Sequence, residues 1–187
     1  MPSFESIGTK VRYWLGKNPS YDLKEMIEID VNEDPVRSEL DLEFRTSHGR
    51  KIYGLLDKDK NLMAIICVAF TNDVPRSVDE LDVMSKDAHL QSVLRNGLVG
   101  KIAVAYTVWA KMRGGGKHIL NEIYKKFKRE HHIERLVTLS PITDMARKFH
   151  LGNGATLLQE NATTVNYEYD ITLEEWMEKT KKFLKIA

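Results

Sequence analysis

The apolar positions of the chain change period along its length. Phe4, Ile7, Val11, Trp14 and Leu15 recur at helical spacing, and Gly16 followed by Asn18-Pro19 stops that helix. A second short helix is predicted from Tyr21 to about Ile29, making residues 1–30 a helical N-terminal segment. Leu40, Leu42 and Phe44 alternate with acidic residues, the pattern of a half-buried strand. Lys51–Leu56 and Leu62–Phe70 lie on either side of "DKDKN" and predict an antiparallel hairpin. A polar stretch follows, in which Ser77–Glu80 ("SVDE") has the form of a capping box opening a short helix. Residues 71–97 are long for a connection, so this insertion is expected to cover a site or to carry a partner surface.

Beyond it the elements alternate. Lys101–Ala110 reads as a strand, "KMRGGGKHIL" as a glycine-rich turn into a helix, and Ile119, Leu120, Ile123, Tyr124 and Phe127 as that helix's apolar face. Arg135–Leu139 is a predicted strand, Thr143–Leu151 a helix, and Ala155–Leu158 and Thr164–Asp170 two more strands. Leu173–Leu184 has the pattern of an amphipathic helix, in a C-terminal segment 173–187. Strands first, then strand–helix alternation, predict an α/β or α+β fold with one mixed sheet, and 187 residues suit one domain, 1–187.

Composition narrows the function classes. Lys and Arg number 28 against 27 Asp and Glu, so no global field favours nucleic acid or membrane. The basic run Lys125, Lys126, Lys128, Arg129 has no interleaved aromatics and reads as a solvated helix face. The longest apolar run, Met63–Phe70, is too short to span a bilayer, and "MPSFESIGTK" lacks the apolar core of a secretory signal. Cys67, the only cysteine, lies inside that run. No disulfide framework or cysteine-rich metal site is available, a reducing cytoplasmic setting is expected, and a buried thiol is a poor nucleophile. His131 and His132 would point apart on a helix, with no third ligand placed, so no metal site is predicted.

The turn "RGGGK" has a physical use. Three glycines let a ligand approach the backbone, and the helix that follows presents free N–H groups to phosphate oxygens. The spacing is not that of a Walker loop, and no βαβ unit with a ribose-binding acid surrounds it. Strand, then Gln/Arg-x-x-Gly-x-Gly/Ala, then helix resembles the acyl-CoA-binding motif of the GNAT acyltransferase superfamily, with Lys111 in the first position and Gly114 and Gly116 in the glycine positions. A second GNAT signature resembles Thr143-x-x-Ala146-x-x-Phe149-His150-x-x-x-Gly154-Ala155. "LSPI" at Leu139–Ile142, "FHLGNGATL" at Phe149–Leu157 and "VNYEY" at Val165–Tyr169 are in turn similar to the catalytic domain of malonyl-CoA decarboxylase.

The resemblance implies a GNAT-like, mostly antiparallel twisted sheet flanked by helices. It implies that Lys111, Arg113, Gly114, Gly115, Gly116 and Lys117 hold the acyl-CoA, with malonyl-CoA or acetyl-CoA as partner. It implies Ser140, His150 and Tyr169 as catalytic residues, and no cofactor beyond the CoA thioester. Decarboxylation of malonyl-CoA is the first expectation, acyl transfer to an amine the second, and a non-catalytic acyl-CoA sensor or protein-interaction module the third. Homo-oligomerisation stays open.

Structural readings stand beside these. Ser140 before Pro141 suits a helix N-cap, and His150 near Gly152 suits a cation at a helix C-terminus. If residues 142–150 were continuous helix, His150 would lie roughly 12 Å from its start at about 1.5 Å per residue. On that geometry serine and histidine act from opposite ends of a bound acyl group rather than touching.

Overall fold

The computed structural model describes residues 21–94, 97 and 99–172. The predicted helices before Gly16 and after Leu173 lie outside these residues. The described chain forms an eight-stranded sheet in the order β1-β2-β3-β4-β5-β8-β6, with β7 pairing β8. The strands are β1 (Asp22–Met26), β2 (Lys51–Leu56), β3 (Leu62–Thr71), β4 (Ile102–Ala110), β5 (Arg135–Thr138), β6 (Ser140–Pro141), β7 (Thr156–Glu160) and β8 (Thr164–Tyr169). Every pairing is antiparallel except β4 with β5. The helices are α1 (Leu42–Thr46), α2 (Val78–Leu94), α3 (Gly115–Arg129) and α4 (Asp144–Gly152), with a 3₁₀ turn at Val31–Glu33.

Two expectations are corrected. Residues 21–29 do not form a helix; Asp22–Met26 pairs along β2 with Asp22 opposite Leu56. An unpaired edge of β2 supplies more backbone hydrogen bonds than a five-residue helix could, and Gly54 leaves the space that the Met26 side chain fills. Leu40–Phe44 is not a strand either. The Asp41 carboxylate accepts from the Phe44 N–H at 2.7 Å, and this local cap opens α1 instead.

The capping box behaves as expected at Ser77, whose hydroxyl accepts from the Glu80 N–H, although Glu80 reaches back to the N–H of Arg76. The helix it opens is 17 residues, not short. Leu81 of α2 is fully buried with Ile65, Cys67, Val104 and Val137 on one face of the sheet. Leu81 and the α2 helix therefore form part of a core there. On the other face, Ile119, Ile123 and Phe127 of α3 bury against Ile66, Val68, Ala105, Tyr167 and Tyr169. That face carries the candidate site.

The central strand has a bulge. Cys67 pairs Thr107 while Val68 pairs Ala105, so Tyr106 is the extra residue. The bulge turns Tyr106 and Thr107 toward the same face. There the Thr107 hydroxyl meets both Asp34 carboxylate oxygens at 2.9 Å, and Asp34 pairs with the fully buried Arg45 at 2.8 Å. Arg45 also donates to the carbonyls of Leu40 and Arg37 and lies 3.5 Å from the Cys67 sulfur. Burial pushes the Cys67 thiol up to about 11, so it stays protonated at neutral pH.

Candidate active site

Past the bulge, β4 and β5 part. Their parallel pairing covers only Ile102–Ala105 against Arg135–Thr138, and the Leu139 N–H makes a last bond to the Ala105 carbonyl. The chain then swings to β6, which pairs with β8 through Ser140 opposite Val165. Among the described residues, no strand pairs the Tyr106–Ala110 edge of β4 on that side. A cleft thus opens at the C-terminal ends of the two parallel strands, the place where an open α/β sheet receives ligands.

Ser140, His150 and Tyr169 meet beside this cleft. Ser140 Oγ lies 2.9 Å from His150 Nε2, and His150 Nδ1 lies 2.9 Å from the Tyr169 hydroxyl. All three are buried. This corrects the expected separation. Ser140 is not the cap of α4: Thr143 is, accepting from the Ala146 N–H at 3.1 Å. The chain bends at Pro141–Thr143, so the serine lies beside the helix rather than beneath its start. The histidine side chain leans back toward the helix N-terminus, as helical side chains do. Rise per residue along one straight axis does not describe that path.

The helix end is fixed as well. The left-handed residue that ends the helix is Gly154 (φ +91°). Ala155 N–H bonds to the His150 carbonyl and Gly154 N–H to that of Leu151, the paired bonds of a Schellman close. The His150 ring stacks on Tyr167 at 4.9 Å and 24°, and Phe149 meets it edge-on. Burial pushes the imidazole down to about 4 and raises the Tyr169 phenol, so both are neutral at pH 7 without ligand.

Two residues that the sequence reading did not single out complete the chain. Thr138 Oγ1, buried, lies 3.1 Å from Ser140 Oγ and accepts from the Tyr167 N–H at 3.2 Å. Asn166, fully buried, donates to the carbonyls of Thr138 and Pro75 and accepts from Gln159 and Asn161. All four of its hydrogen-bonding positions are filled, which pins β8 to the end of β5.

The glycine turn adjoins this site. Gly114 has φ +83°, and an added Cβ would meet only His118 at 3.8 Å, so this glycine faces open space. Gly115 packs against β3, where a Cβ would come within 2.5 Å of the Met63 carbonyl oxygen. A Cβ on Gly116 would come within 3.3 Å of the Phe149 ring, so the turn adjoins the residue next to His150. Lys111, Arg113 and Lys117 are exposed around the start of α3, and Lys111 is paired with Glu33 at 2.6 Å.

Strand order, bulge, parting strands and glycine turn define a GNAT-like fold. No protein-family model matches the chain, and no curated protein matches it. Among solved structures it is similar to malonyl-CoA decarboxylase from Agrobacterium vitis, with a TM-score of 0.62 at 16% identity. That likeness covers 89% of this chain but 64% of the decarboxylase, less than two thirds of its length. The loading GNATL domain of CurA from Lyngbya majuscula matches with a TM-score of 0.56 at 14% identity, over 81% of this chain and 98% of that one. The GphF GNAT-like decarboxylase, in complex with isobutyryl-CoA, matches with a TM-score of 0.52 at 13% identity, over 70% and 83%.

Proposed function

We propose that this chain is an acyl-CoA enzyme that decarboxylates malonyl-CoA to acetyl-CoA. The observation that carries the reading is the buried Ser140–His150–Tyr169 chain, both contacts 2.9 Å, beside the parted strands. The likeness to two decarboxylases, one with an acyl-CoA bound, supports it.

The pyrophosphate lies against the exposed backbone at Gly114 and the first turn of α3, with Arg113 and Lys117 beside it. The acyl group then reaches the cleft past Phe149. An arriving malonyl carboxylate offsets the desolvation that holds His150 neutral, so the imidazole takes up a proton as substrate binds. The bond to the carboxylate carbon breaks, and its electron pair moves into the thioester to give an enolate and carbon dioxide. Backbone N–H groups on the open edge of β4 stabilise the enolate oxygen. The α-carbon takes the proton from His150, which solvent later restores. Ser140 and Tyr169 hold the ring and hydrogen-bond the reacting group. No cofactor is needed, because the thioester itself accepts the electron pair.

Incubation with malonyl-CoA should release carbon dioxide and form acetyl-CoA, with activity unchanged by a chelator. Free thiol without carbon dioxide, appearing only when an amine is present, would assign the chain to acyl transfer. Binding of acyl-CoA with no turnover of either kind would make it a sensor.

A further inference from the structure

The parting of β4 from β5 leaves a carbonyl free at Leu139. The Leu139 N–H makes the last bond to β4, at the Ala105 carbonyl. Leu139 lies in the extended run between Thr138 and Ser140, where the N–H and C=O of one residue project to the same edge of the strand. Its carbonyl therefore faces the widening gap, and among the described residues no backbone N–H reaches it. A side chain does: Arg37 Nη2 donates to it at 3.4 Å. The backbone of Arg37 is tied to the opposite strand. Its N–H donates to Asp34 Oδ1 at 3.2 Å, beside the Val36 N–H at 2.8 Å, and both Asp34 oxygens meet the Thr107 hydroxyl at the bulge of β4. Arg37 thus crosses from β4 to the end of β5, one peptide away from Ser140.

The guanidinium held there is short of partners. An arginine offers a planar fork of N–H donors. Among the described residues this one makes a single long hydrogen bond, to Leu139, and its Nε is buried with no partner. The acidic side chain paired with it, Glu39, stands 3.9 Å from Nη1, beyond hydrogen-bond reach, and is 59% exposed. Asp34 does not make up the difference, because Arg45 at 2.8 Å already takes its charge. Only 12% of the Arg37 side chain is exposed, so a cation mostly withdrawn from water is left without a matching anion at the mouth of the cleft.

We infer that Arg37 is a specificity-determining residue of the cleft: it receives the free carboxylate of a carboxyacyl-CoA, so that malonyl-CoA binds in preference to acetyl-CoA. This deepens the function proposed above and rests on it for the acyl-CoA. A carboxylate is planar and accepts two parallel N–H bonds from a guanidinium, so it fills Nη1 and the free position on Nη2 together. The acyl group then lies between this cation and the Ser140–His150 pair. The carboxylate loses its charge as carbon dioxide forms, so Arg37 holds the substrate more strongly than the transition state. Its role therefore appears in binding and in the choice of acyl group, not in the chemical step.

The test titrates the full chain, by calorimetry at neutral pH, with amide analogues of malonyl-CoA and acetyl-CoA. In these NH replaces the thioester sulfur, which suppresses decarboxylation. The wild type should bind the malonyl analogue on the order of 10-fold more tightly, the scale of one charge-assisted pair. Arg37→Gln should bring the two affinities together by weakening only the malonyl analogue, and Arg37→Lys should keep part of the preference. Equal affinities in the wild type, or a preference that survives in folded Arg37→Gln, would overturn the inference. So would an equal loss for both analogues, which would make Arg37 a structural tie between the strands. Should the glutamine variant not fold, Glu39→Gln decides. It removes the carboxylate that competes for Nη1, so the malonyl analogue alone should bind more tightly, and an unchanged ratio overturns the inference. Binding of neither analogue would strike the acyl-CoA reading itself and this inference with it. A preference for the malonyl analogue in a chain that releases no carbon dioxide from malonyl-CoA would strike decarboxylation alone and leave Arg37 its role.

Discussion

Acid should weaken this fold through His150, and His150→Gln should remove the effect. The buried imidazole is held down to about 4. In the unfolded chain it titrates near its ordinary value of about 6.5. Between these values the unfolded state binds more protons than the folded one, so stability rises with pH across the window. The contribution is complete above about pH 6.5, falls as pH drops toward 4, and is lost below it. A difference of about 2.5 pH units at about 1.4 kcal/mol each gives about 3.4 kcal/mol in full, of which about 2.4 kcal/mol is lost between pH 7 and pH 4.5. Glutamine keeps polar atoms but does not titrate. Other groups titrate alike in both proteins, so they cancel in the difference between them. Urea unfolding of both proteins at the two pH values measures it. At neutral pH the wild type should be the more stable, because it keeps its bonds to Ser140 and Tyr169. At the acid end most of that advantage should be gone. A wild-type advantage equal at both pH values would refute the reasoning and mean that the ring reaches solvent or a compensating charge.

Ser140→Ala and His150→Gln should each lower malonyl-CoA turnover on the order of 10²-fold while CoA affinity persists, and the double variant should be little worse than the poorer single one; turnover undiminished per folded molecule would reduce the pair to structure. Gly115→Ala should destabilise by about 1–3 kcal/mol, since its Cβ would fall 2.5 Å from the Met63 carbonyl oxygen, whereas Gly114→Ala meets open space and should cost only about 1–2 kcal/mol of left-handed strain. Of these two variants only Gly114→Ala should weaken CoA binding, as a titration on folded protein would report. Asp34→Ala strands the fully buried Arg45 and should cost about 3–5 kcal/mol in urea unfolding.

The strongly periodic elements were legible in the sequence. The β2–β3 hairpin, β4, the apolar face of α3 and the closing strands follow from local pattern, because α3 buries one helical face and the central strands are apolar runs, buried on both faces, that turn residues bound. The failures share a cause. Asp22–Met26 has too little pattern to declare itself, and its strand state comes from the free edge of β2, more than 25 residues away in sequence. Leu42–Thr46 carries the alternation of a strand, yet a single carboxylate bond at Asp41 outweighs it where no partner strand is within reach. Arg45 is the sharpest case. A cation in a polar stretch reads as solvated, and nothing local announces that Asp34, Cys67 and two carbonyls surround it.

The candidate site divides in the same way. The family resemblance implied Ser140, His150 and Tyr169, but their contact depends on where a two-residue strand pairs. β6 is held by β8 through Ser140 opposite Val165, and β8 also brings Tyr169, Tyr167 and Asn166 to the same place. One local signal went unused. Thr138 and Ser140 stand two apart on an extended segment, so they share a face, while Leu139 between them is buried in the opposite core. Two hydroxyls on one face and an apolar residue on the other is the pattern of a strand end that places a polar pair deliberately. That same-face rule makes Thr138 the neighbour of the serine before any distance is known. Tertiary structure then adds the Tyr167 N–H, which Thr138 Oγ1 accepts at 3.2 Å, and the His150 ring on the other side of the serine.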